Sequence, residues 1–73
     1  MNEKMEMMAD MVKNLALLLM EQDRELTLEQ ALSVVFNSDT YRKLTETQTG
    51  LYAQSPGYVF AYLKEELTTG KMA

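Results

Sequence analysis

Carboxylates are the residues of this chain whose spacing comes nearest to a reactive constellation. Glu6 and Asp10 stand four positions apart, and Glu21, Asp23 and Glu25 crowd together further on. Either group could hold a magnesium or calcium ion, or divide the roles of acid and base. A helical wheel instead places Glu6 and Asp10 on a water-facing ridge with Glu3, Lys13, Asn14 and Glu21. The segment from Glu21 to Glu25 lacks the alternating oxygens and central glycine of a calcium loop. With no cysteine and no histidine, the usual zinc sites, thiol nucleophiles and imidazole bases are missing as well. No phosphate loop, dinucleotide fingerprint, nucleophile elbow or metalloprotease motif occurs. The expectation is a protein that is not an enzyme and needs no cofactor or metal.

Binding chemistry is better represented. Five of the seven methionines, Met1, Met5, Met7, Met8 and Met11, fall at one end of the first helix, where flexible thioethers make an adaptable surface. Five of the six aromatic residues follow position 40. Among them Tyr41, Tyr52, Tyr58 and Tyr62 are amphipathic and suit core edges or an interface rim.

The element that positions the methionines is the stretch from Met5 to Met20. At about 100° per residue, Met1, Met5, Met8, Val12, Leu15, Ala16 and Leu19 share one stripe. Met7, Met11 and Leu18 add a second row, and Ala9 and Met20 extend the other flank. The apolar arc covers roughly 220°, about twice that of a one-sided amphipathic helix. Such a helix must be surrounded by its own chain or covered by another copy, and few other elements are available. The sequence therefore predicts a homodimer whose interface draws on Met5, Met7, Met8, Met11, Val12, Leu15, Leu18 and Leu19.

Size points the same way. Seventy-three residues make one domain, small enough that a single core leaves only a few kcal/mol of net stability. No disulfide can help. Hydrophobic residues at 47% and charged residues at 25% indicate a globular chain. A net charge of −4 with seven scattered Lys and Arg argues against nucleic acid and against an anionic membrane. The apolar run from Leu15 to Met20 is far short of the ~20 residues that span a bilayer, and its acidic lead-in is unlike a signal peptide. A cytoplasmic location is expected.

The remaining elements follow in order. Helix 1 is predicted over about residues 3–22. Thr27 caps helix 2 (28–37), with Gln30 closing a capping box and Leu26 stapling onto Ala31. Leu28, Ala31, Leu32 and Val35 form its inward side, and it ends at Asn37, a residue type that tolerates the left-handed conformation closing many helices. Ser38-Asp39 caps a short helix (39–44) with Tyr41 and Leu44 turned inward and Arg42 and Lys43 in its last turn. Residues 45–54 are expected to be a loop. Its threonines disfavour helix interior, and Gly50 marks a turn. Leu51-Tyr52-Ala53 fits either a single turn or an extended piece that would pair across a dimer. Ser55-Pro56 opens the last helix (56–69). Phe60, Leu63 and Leu67 lie on its inward stripe, Lys64, Glu65 and Glu66 mostly on the wet side, and Gly70 stops it.

The pattern Ser38-x-Thr40-Tyr41-x-Lys43-Leu44, followed by Thr49-Gly50-Leu51-Tyr52-x-Gln54-Ser55-x-x-Tyr58-Val59-x-x-x-Leu63-x-x-Glu66-Leu67, resembles a family of short, acidic, helical bacterial proteins without an assigned activity, over about residues 12–67. Some families of that kind sit beside toxin-like partners. The resemblance implies a bacterial cytoplasmic protein and transfers no catalytic residue, and the methionine-rich start lies outside it.

These readings converge on an all-α bundle of three main helices plus a short helical turn, homodimeric through helix 1. The function expected is a protein–protein interaction module, a small adaptor or regulator without catalysis. The alternative is a transcriptional or toxin-neutralising regulator, with helices 2 and 3 as a helix-turn-helix and Arg42 and Lys43 against phosphate.

Overall fold

The computed structural model describes residues 3–70. Met1 and the tail Lys71-Met72-Ala73 lie outside the described residues. Within them the chain is all-helical. Helix α1 spans Glu3–Gln22, α2 Leu28–Phe36, α3 Asp39–Thr45 and α4 Pro56–Thr69, with two 3-10 turns, Thr47–Thr49 and Leu51–Ala53, between α3 and α4.

Straight-chain Met, Leu, Glu and Lys with alanine give α1 high helix propensity, and Glu3 and Glu6 in its first turn complement the helix dipole. It ends where Asp23 turns the chain, its Oδ1 accepting from the Glu25 amide at 3.0 Å. Thr27 and Gln30 then form the complete capping box. Thr27 Oγ1 accepts from the Gln30 amide at 3.2 Å, and Gln30 Oε1 accepts from the Thr27 amide at 3.0 Å.

The close of α2 differs from the expectation. Asn37 has φ −94°, outside the left-handed region. Its backbone amide donates to the Ser33 carbonyl at 3.1 Å and its Nδ2 donates to the same oxygen at 2.8 Å, so backbone and side chain together close the last turn. Ser38 completes the joint. Its hydroxyl donates to the Val35 carbonyl at 2.6 Å and accepts from the Tyr41 amide at 3.0 Å, so one buried oxygen ends α2 and begins α3.

Residues 45–54 are more ordered than a loop. The Thr49 hydroxyl lies within donating distance of the carbonyls of Lys43 (2.6 Å) and Glu46 (2.9 Å), which share its one proton, and the Leu51 amide donates to its oxygen at 3.3 Å. This side-chain bonding is why threonine leaves a helix interior and what shapes the turns. Gly50, at φ 68°, joins them. Leu51 is buried, so the turn reading of Leu51-Tyr52-Ala53 holds and the extended, dimer-pairing one does not.

Ser55 caps α4 by accepting from the Tyr58 amide at 3.3 Å, and Gly70 at φ 84° closes it. Around α1 the core gathers Met11, Val12, Leu15, Ala16 and Leu19 with Ala31 and Val35 of α2, Leu44 of α3, Leu51, and Val59, Phe60 and Leu63 of α4. Complete burial of one such leucine stabilises the fold by about 1.5–3 kcal/mol. Leu67 departs from its expected inward place and is 51% exposed, because the burial of α4 ends at Leu63.

Candidate interaction groove

Helix α1 divides into two halves. From Met11 to Leu19 it carries five buried residues, packed within the chain itself. From Glu3 to Asp10 none is buried. Of the residues expected at an interface, Met11, Val12, Leu15 and Leu19 therefore belong to the chain's own core. Met7, Met8 and Leu18 are half-buried, and Met5 is 66% exposed. The surface a partner would meet narrows to the first two turns.

Length explains the asymmetry. At 1.5 Å per residue α1 is about 30 Å long and α2 about 13 Å, so the second helix cannot cover the first. Between them lies a groove of ≈ 590 Å³. Its α1 wall is Met5, Met8, Ala9 and Val12, its α2 wall Leu28, Leu32 and Phe36, and α3 adds Tyr41 and Thr45. Phe36 and Tyr41 meet edge to face, ring centres 5.1 Å apart at 83°, a geometry that favours the aromatic quadrupoles. Lys13 is the one charged residue on the lining. Phe36 at 50% and Leu28 at 48% exposure keep large apolar surface in water. Two apolar walls with one cation suit an amphipathic helix better than a polar small molecule, which needs several convergent donors and acceptors.

The carboxylates do not build a second site. Glu6 and Asp10 are exposed, and Asp23 holds the turn after α1. Among the described residues no group of three His, Cys, Asp or Glu could hold a metal ion. Nor, among them, is any helix long and apolar enough to cross a membrane.

Two polar features lie outside the groove. Glu66, expected on the wet side of α4, reaches the start of α3. Its carboxylate accepts from the Asp39 amide at 2.7 Å and from the Thr40 amide and hydroxyl at 2.9 and 2.7 Å. Thr40 is fully buried, and Glu66 satisfies its hydroxyl. Partial burial pushes the Glu66 carboxyl up. The Asp39 amide, the Thr40 hydroxyl and amide and the Arg42 guanidinium outweigh it, and the net shift is downward. The only advance signal was the open helix start at Ser38-Asp39, which attracts an anion but does not say which one.

The second feature is on the exposed side of α4, where the Tyr58 and Tyr62 hydroxyls lie 3.0 Å apart and the rings pack edge to face at 5.3 Å. The hydrogen bond to Tyr58, the charge Tyr58 would carry and slight burial raise the Tyr62 pKa.

Comparison with family models, curated proteins and solved structures finds no match. The functional reading therefore rests on the groove.

Proposed function

We propose that this chain is a non-catalytic protein–protein interaction module, a small cytoplasmic adaptor or regulator of bacterial type, which works as a homodimer through the first half of α1 and the groove beside it. One observation carries the reading. Of the six large hydrophobic residues left exposed among the described residues, Met5, Leu28 and Phe36 line this single groove. Scattered exposed hydrophobics are ordinary on a monomer, whereas a contiguous set marks a contact surface.

The helix-turn-helix alternative draws less support. Helix α3 has seven residues, about two turns, and its Arg42 is paired with Asp39 at 2.6 Å on the same helix. A recognition helix uses its free donors on base edges and phosphates.

Size-exclusion chromatography with light scattering is the direct test. A dimer is expected at high micromolar concentration, weakened by Phe36→Asp with helical content unchanged. A monomer throughout that range overturns the homodimer, and retardation of duplex DNA at low salt would favour the alternative.

A further inference from the structure

We infer that the groove is occupied by α1 of a second copy, laid antiparallel across the first about a two-fold axis at Ala9, with Lys13 of each copy meeting Glu6 of the other. The inference rests on the homodimeric reading above and specifies its geometry.

Three observations select this occupant and this register. First, the groove's one charged lining residue is Lys13, so an occupant must bring a carboxylate beside its apolar anchors. Helix α1 does so, with Glu6 next to Met5 in an exposed first half. Second, Glu6 and Lys13 are seven positions apart, about 10 Å along a helix, too far to pair within one copy. Neither forms an ion pair or side-chain hydrogen bond among the described residues. Antiparallel pairing about Ala9 reverses that spacing, laying the Lys13 stem over the partner's Met5 and bringing its ammonium to the partner's Glu6. Parallel pairing would set Glu6 against Glu6 and Lys13 against Lys13, which repels.

Third, Ala9 is exposed and lies midway between Met5 and Lys13 on one row of α1. A small residue at the crossing point lets two helix backbones approach, while larger side chains on either side interdigitate. A two-fold interface requires the same patch on both copies to be self-complementary. Charge and size both satisfy that requirement about Ala9.

Because the natural chain has no cysteine, single cysteines read the register directly. Disulfide bonds require Cα atoms within about 7 Å. In the proposed dimer Ala9→Cys meets its own copy and should cross-link on mild oxidation. Met5→Cys is separated from its copy by about 12 Å along the axis, and Leu17→Cys by about 24 Å, so neither should. Lys13→Glu and Glu6→Lys should each weaken dimerisation by about tenfold, and the double variant should recover most of the loss. Circular dichroism on every variant guards against unfolding. Cross-linking at both Met5 and Ala9 means parallel helices and overturns the register, as does a dimer that fails to cross-link at Ala9 or one indifferent to the charge exchange. In these cases the homodimer itself survives. A natural chain that is monomeric to high micromolar concentration removes both.

Discussion

The junction of α3 with α4 and the groove between α1 and α2 handle unfinished surface in opposite ways. At the junction, the exposed donors of a helix start are met by a carboxylate from an element 26 residues away in sequence. At the groove, apolar side chains stay wet because, among the described residues, no segment covers them. A buried unpaired donor costs about 1–3 kcal/mol, whereas a half-exposed methionine or phenylalanine forgoes a gain without incurring a penalty. A short chain therefore satisfies its polar backbone internally and can leave apolar area open for another molecule.

Truncation in the core gives the sharpest contrast. Leu15→Ala removes a fully buried side chain and should cost about 2–5 kcal/mol in denaturant unfolding. Met5→Ala, on the same helix, should change monomer stability by no more than about 0.5 kcal/mol. Similar losses would mean that the two halves of α1 are not distinct.

Glu66→Ala tests the junction. Losing three hydrogen bonds to one carboxylate should cost about 2 kcal/mol, although glutamate is half-exposed there. Glu66→Gln keeps the shape, removes the charge and should cost less. The pH dependence fixes the sign. With its folded pKa below the ordinary 4.5, Glu66 contributes fully above the unfolded value, and the contribution fades as pH falls through the folded one. The stability gap between natural protein and Glu66→Gln should hold steady above about pH 5 and narrow below about pH 4. A gap that widens on acidification would contradict the bonding described.

The smallest effect belongs to the tyrosine pair. Tyr58→Phe removes both the hydrogen bond and the like charge that raise Tyr62. Tyr62 should then titrate at lower pH, read as a shift in the tyrosinate absorbance that it shares with Tyr41 and Tyr52, with stability changed by less than about 0.5 kcal/mol.

Local signals in the sequence marked most boundaries. The Thr27–Gln30 box, the Ser55-Pro56 start and Gly70 involve residues within a few positions of one another, and each occurs as its residue types imply. The wheel of α1 identified its apolar sides but could not say what covers each. Met11, Leu15 and Leu19 are buried inside the chain because α2, α4 and the Leu51 turn pack on α1, a matter of tertiary reach and not of periodicity. Glu66 and Leu67 were misplaced for a related reason. A wheel assigns faces from average polarity, while the position of α3 decides which residue at the end of α4 has something to touch. The groove's methionines were visible as an adaptable surface, but its α2 wall was not, since Leu28 and Leu32 read as ordinary inward residues.

Ser38 has a mechanical consequence for that groove. Its single hydroxyl oxygen terminates α2 and initiates α3, so swinging α2 outward would also fray the first turn of α3, which bears Tyr41. Phe36 and Tyr41 thus travel as one body, a single firm wall facing the pliable thioethers of α1.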